Sequence, residues 1–150
     1  MTRPEPLAAL VPALIAAAEG DPAREVCGLL LASRAGGLRL VPVANGSPTP
    51  ATAFDLDPAA LLLAYRRMEA EGDRLVAVYH SHPKGGAALS RRDVEAALQD
   101  GRPLQAGVQQ VVIALRHGRA VEIRAHGWGG AAYLGRTLWR AASAEGPATP

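Results

Sequence analysis

The chain has 150 residues, 49% hydrophobic and 20% charged, which suits a single globular domain with a real core and argues against disorder. The formal net charge is only +2, the basic residues are scattered, and no basic stripe interleaved with aromatics appears, so nucleic-acid binding is not expected. The one cysteine, Cys27, excludes an intramolecular disulfide and a multi-cysteine zinc site; no apolar run reaches the ~18 residues of a spanning helix and no signal-like segment opens the chain, so a cytoplasmic protein away from membranes is expected.

In chain order, residues 1–6 read as a loose lead-in. Leu7, Leu10, Val11, Leu14, Ile15 and Ala18 recur at helical spacing up to Gly20, and Pro12 predicts a kink or a late start. After the Asp21-Pro22 turn, Val26 to Ala32 is a continuous apolar run, predicted to be a central strand covered on both faces. Gly36-Gly37 then turns the chain into a second strand, Leu38 to Ala44, as an antiparallel hairpin. Asn45 to Pro50 reads as loop and Thr52 to Leu56 as a short strand. Asp57-Pro58 supplies an N-cap followed by proline at the first helical position, Leu61, Leu62, Tyr65 and Met68 form the apolar face, and Gly72 ends the helix.

Leu75 to His80 reads as a buried strand, Pro83 and Gly85-Gly86 as a loop, and Ser90 to Leu98 as a short helix. Gly101 to Gly107 is a connection. Val108 to Leu115 and Ala120 to Ala125 form a second hairpin about His117-Gly118, with His117 a turn residue and His126 a strand-end residue, neither expected to bind metal. Gly127 to Gly130 reads as flexible; Tyr133, Leu134, Leu138 and Trp139 suggest a closing amphipathic helix, and Ser143 to Pro150 a frayed tail. There are no internal repeats. Hairpins interspersed with helices predict an α/β fold, a mixed β-sheet with packed helices.

The chemistry concentrates in residues 78 to 93. His80 and His82 are two apart on extended backbone, so both imidazoles emerge on one side, and Asp93 lies one turn into the following helix. Two imidazoles and a carboxylate with no thiolate nearby suit a first-row divalent metal, Zn²⁺ most naturally, and three protein ligands leave an open fourth position. Two alternatives stand beside this. A histidine pair at a strand end can simply be solvated, and Ser90-x-x-Asp93 also reads as a capping box variant. Zinc deaminases are excluded, because their Pro-Cys-x-x-Cys element is absent. Upstream, Glu25 sits at the mouth of an apolar strand; it reads as a surface charge at the strand end, as a partner for Arg24, or as a functional group, since an unpaired carboxylate there costs free energy. Cys27 reads as a small buried hydrophobe.

His80-x-His82-Pro83, followed by Ser90 and Asp93 at the spacing found here, together with Glu25 upstream, resembles the signature of the JAMM (MPN-plus) metallopeptidases, and the resemblance spans most of the chain. It implies a cytidine-deaminase-like JAMM/MPN fold and a zinc-dependent peptidase or isopeptidase. His80, His82 and Asp93 would hold the metal, Glu25 would move protons and Ser90 would donate to the oxyanion, a role set against helix capping. The segment from Gln99 to Gly107 is short, so the resemblance points to a minimal bacterial or archaeal enzyme rather than a polyubiquitin-selective one. The expected partner is a small ubiquitin-like or sulfur-carrier protein ending in Gly-Gly, its tail read along a strand edge. A zinc amidase acting on small peptide or amino-acid conjugates and a non-catalytic scaffold of the same fold are the alternatives.

Overall fold

A computed structural model describes residues 5–142. A 3-10 turn, Pro6–Leu10, leads into α1 (Val11–Gly20), so Pro12 falls in the first helical turn, where its missing N–H costs nothing. The hairpin β1 (Cys27–Ala32) and β2 (Leu38–Val43) follows, then α2 (Pro58–Glu71) and β3 (Arg74–His82). Next come α3 (Arg91–Ala97), a two-stranded hairpin of β4 (Leu98–Gln99) and β5 (Arg102–Pro103), and β6 (Gln109–Arg116), β7 (Arg119–Trp128) and β8 (Tyr133–Arg140). The main sheet is mixed, with order β2-β1-β3-β6-β7-β8; β3 and β6 are parallel and the other neighbours antiparallel.

Alternation along the central strands feeds two cores. Leu30, Ala77, Tyr79, Val111, Ile113 and Ile123 face α1, packing on Leu7, Leu10, Leu14 and Ala18. Leu29, Leu31 and Val43 face α2, packing on Leu61, Tyr65 and Met68. Burying one leucine side chain is worth roughly 1.5–3 kcal/mol, so this two-sided packing of β1 supplies much of the rigidity under the site. Gly28 is required by close approach: a Cβ there would lie 2.7 Å from the Tyr79 ring and hydroxyl and would also strike the Val41 carbonyl. Among the described residues no helix is long and apolar enough to cross a membrane.

Several expectations are corrected. Tyr133 to Trp139 is not a helix but most of β8, paired with β7 from Trp128↔Tyr133 to Glu122↔Arg140. The apolar positions fit either period, and the open edge of β7 together with Gly135 in the interior favours the strand. Gly127 and Trp128 belong to β7 rather than to a flexible loop. Thr52 to Leu56 forms only an isolated bridge, Asn45↔Leu56. Leu62 is exposed, because Ala60, Leu61, Ala64, Tyr65 and Met68 make the buried stripe. Glu5 is not loose: its carboxylate accepts two hydrogen bonds from Arg136 at 2.8 Å. Residues 1–4 and the expected tail, 143–150, lie outside the described residues.

Candidate metal centre

Period-2 alternation places His80 and His82 on the same face of β3 as Val78, looking towards α3. His80 Nε2 lies 3.1 Å from His82 Nε2 and 3.0 Å from Asp93 Oδ2, and His82 Nε2 lies 3.1 Å from the same oxygen. A carboxylate oxygen of Glu25 completes a group of four potential ligand atoms, all within 4.8 Å of one another. Residues from β1's approach, β3 and α3 thus converge on one point. The group could hold a metal ion.

Each member is fixed locally. His80 is fully buried and stacked on Phe54, ring centroids 4.3 Å apart; among the described residues its Nδ1 has no hydrogen-bond partner, so the stacking and the Nε2 contact with Asp93 orient it. His82 donates Nδ1–H to the Gly86 carbonyl at 2.8 Å, which turns Nε2 towards Asp93 and His80. Asp93 is held by a capping box: Ser90 Oγ accepts from the Asp93 amide at 3.0 Å, and Asp93 Oδ2 accepts from the Ser90 amide at 2.9 Å. The oxygen that caps the helix is the one that meets both histidines.

Two residues that sequence reasoning passed over hold Glu25. Ser81, buried between the two histidines but on the opposite face, accepts from the Val26 amide at 2.9 Å and donates to the Arg24 carbonyl at 3.4 Å. Asn45 donates to the Glu25 carbonyl at 2.8 Å and to Ala53 at 3.0 Å, while the Glu25 amide donates to Pro50. The backbone of Glu25 is therefore clamped from both sides. A serine enclosed by two candidate ligands was the available signal for the first clamp; nothing in the local pattern marked Asn45.

The electrostatics follow from burial. Glu25 is 5% exposed, and burial pushes its carboxyl up to about 7, with His82 opposing and Asp93 adding to the rise. Burial also works against charge on Asp93, but hydrogen bonds from His80, His82 and the Ser90 amide outweigh it and hold that carboxyl well below the usual carboxylate range. Burial lowers His80, whereas for His82 the Asp93 and Gly86 contacts overcome burial and raise it. Cys27, as expected, is a buried thiol outside the group; burial pushes it up to about 12, and it donates to the Val43 carbonyl. His117 occupies a turn at φ 51°. His126 lies outside that group and is not a strand-end residue: it is buried inside β7 and donates Nε2–H to the Ala87 carbonyl at 2.9 Å.

An apolar groove of about 290 Å³, lined by Phe54, Leu61, Tyr65, Val78 and Leu104, reaches Asp93 from one side. On the other side, a cleft of about 420 Å³ is lined by Glu25, Thr52, His82, Lys84 and Ser90. β3 lies between β1 and β6 in the main sheet, and Pro103 of the two-stranded β4–β5 hairpin lines the groove.

The family model described as prokaryotic homologs of the JAB domain matches residues 7–127. The chain belongs to that family. Among similar relatives is a Thermus thermophilus protein named "Probable TtuB-protein conjugate cleaving protease", 51% identical over 59 residues, which are 39% of this chain and 40% of that one. The desampylase of Haloferax volcanii is 38% identical over 88 residues (56% and 62% of the two chains), and the CysO-cysteine peptidase of Mycobacterium tuberculosis 35% identical over 92 residues (60% and 62%). The chain thus matches between 40% and 62% of the length of these relatives. A solution structure of a Desulfitobacterium hafniense protein shares this chain's fold at TM-score 0.63 and 24% identity, covering 84% of this chain and 86% of that one. One from Salinibacter ruber does so at TM-score 0.58 and 22% identity, covering 93% and 91%.

Proposed function

We propose that the protein is a zinc-dependent peptidase that hydrolyses the amide or isopeptide bond following the C-terminal Gly-Gly of a small ubiquitin-like or sulfur-carrier protein. The observation that carries this reading is the 3.0–3.1 Å triangle of His80 Nε2, His82 Nε2 and Asp93 Oδ2 with a buried Glu25 carboxylate beside it. Tetrahedral zinc with bonds of ~2.0–2.1 Å separates its ligand atoms by roughly 3.4 Å, so the triangle need open only slightly to accept the ion. Two imidazoles and one carboxylate are a donor set that zinc favours, and they leave room for water and substrate. Bound there, zinc supplies the Lewis acidity that makes water nucleophilic near neutral pH and polarises a carbonyl.

The chain's own residues do the rest. Glu25, with its carboxyl raised to about 7, takes a proton from the attacking water and delivers it to the leaving nitrogen. Ser90 Oγ spends a lone pair on the Asp93 amide, which leaves its hydroxyl hydrogen to donate to the substrate carbonyl oxygen as charge grows there. Capping and catalysis therefore use different parts of one hydroxyl. The apolar groove ending at Asp93 suits an extended tail, and the cleft beside Glu25 and Ser90 leaves space for the departing amine. The Thermus relative's name, which refers to cleavage of a TtuB–protein conjugate, and the CysO-cysteine peptidase's name support a carrier-protein conjugate as substrate.

The test compares a carrier fusion ending in Gly-Gly, joined to lysine or a small amine, with short amides, and locates the cut by mass spectrometry. Cleavage directly after Gly-Gly, slowed strongly when the last glycine is made bulky, is the expected result. Preferential turnover of unrelated short peptides would move the assignment to a general zinc amidase.

A further inference from the structure

We infer that His126, outside the group of potential ligands, is a positioning residue that holds the loop between β3 and α3 in the shape that aims His82. The inference rests on the proposed metal-binding reading. Alternation along β7 sends Ala125 into the α1 core and His126 to the opposite face. There the buried imidazole donates Nε2–H to the Ala87 carbonyl at 2.9 Å, across 39 residues of sequence. Ala87 is itself buried, packed with Val112 and Ala114 of β6. One residue earlier, the Gly86 carbonyl accepts Nδ1–H from His82 at 2.8 Å. A continuous connection therefore runs from β7 through two adjacent carbonyls of the loop to the orienting nitrogen of a proposed ligand.

A second, independent observation shows a place made for this ring. The residue paired with His126 on β8 is Gly135, and a Cβ there would lie 2.8 Å from His126 Nδ1 and 2.9 Å from Cε1. The loop needs such an anchor, because it carries Gly85 at φ 102° and a Gly-Gly pair with open space around both glycines. With the Ala87 carbonyl unpartnered, the Gly86 carbonyl would no longer be fixed against His82. Outer-shell partners of this kind typically change metal affinity or activity by ~10–100-fold.

Zn²⁺ affinity measured by competition with a chromophoric chelator, alongside kcat and KM, tests this in the wild type, His126→Phe and His126→Gln. Phe fills the space without a donor, whereas the Gln amide can donate to Ala87. The expected result for the Phe variant is Zn²⁺ affinity about 10–100-fold weaker, with kcat lowered more than KM is raised, and for the Gln variant substantial recovery of both. A folded Phe variant with wild-type affinity, or a Gln variant no better than Phe, would overturn the role. A wild type that binds no Zn²⁺ would overturn the metal reading itself, which is a separate and recognisable failure. Imidazole ¹⁵N shifts of the wild-type zinc-bound protein give a readout that needs no variant. They should show His126 as the Nε2–H tautomer with its proton protected from exchange, and an Nδ1–H tautomer would sink the inference.

Discussion

Ionisable side chains gather at both ends of β3, and the two gatherings are built on opposite principles. At the start of the strand Arg39 bridges Asp73 at 2.8 Å and Glu71 at 2.6 Å, and the Arg34 amide also donates to Asp73. Opposite charges meet near water, and the Arg34 amide and Arg39 together hold the Asp73 carboxyl low. At the end of the strand two carboxylates and two imidazoles converge, and among the described residues none of them pairs with an Arg or Lys. Burial raises Glu25 and lowers His80, so each is pushed towards its neutral form. The first cluster is complete as it stands. The second gathers two carboxylates and two imidazoles without a countering Arg or Lys among the described residues, a donor set that could hold an added cation.

The largest effect should come from removing a corner of the buried triangle. His82→Ala should lower the metal content, by elemental analysis, from one zinc per chain to near none and take turnover to background; full metal retention would remove His82 from the ligand set. Next, Glu25→Gln should keep the zinc and lower kcat by ~10²–10⁴. The same change should stabilise the metal-free protein. The Glu25 carboxyl is raised in the folded state, so its contribution is intact below the ordinary carboxylate range and is lost as pH rises towards about 7. Denaturant titrations of metal-free Glu25→Gln should therefore show a gain on the order of 2 kcal/mol at pH 8 and almost none near pH 4. An equal gain at both values would mean that Glu25 is not penalised by burial.

A smaller effect separates the two uses of Ser90. Ser90→Ala should cost roughly 10²–10³ in kcat and ~1 kcal/mol of stability, while Ser90→Gly should recover most of the stability and none of the rate. Rate recovery in the glycine variant would assign Ser90 to capping alone. The smallest effect belongs to the other end of the strand. Arg39→Ala should leave zinc content and kcat unchanged and lower Tm by no more than about 3 °C, as expected for a partly exposed ion pair. A larger loss of activity there would show that the two ends of β3 are coupled.

What was legible in advance was what neighbouring residues determine. Asp57-Pro58 and Gly72 delimit α2 because the side-chain cap, the proline and the left-handed C-cap act on backbone next to them. His80 and His82 share a face because side chains on a strand repeat every two residues, and Ser90-x-x-Asp93 declared its capping box because that motif lies within one helical turn. The resemblance carried Glu25, but only the pairing of β1 with β3, through Cys27↔His80 and the Ser81 clamp on Arg24 and Val26, brings its carboxylate to the histidines.

Tyr133 to Arg140 was misread because its local pattern serves either period, and the unpaired edge of β7 decided the outcome. His126 was misread for a related reason: its burial depends on Gly135 of β8 and its hydrogen bond on Ala87 of a distant loop. The sequence by itself determined the donor chemistry, the caps and the faces, since these depend on each residue and its near neighbours. Strand partners, the supports of the site and the distances among its donors were decided only by the tertiary structure, because each depends on backbone that meets across tens of residues and is fixed only when the whole sheet forms.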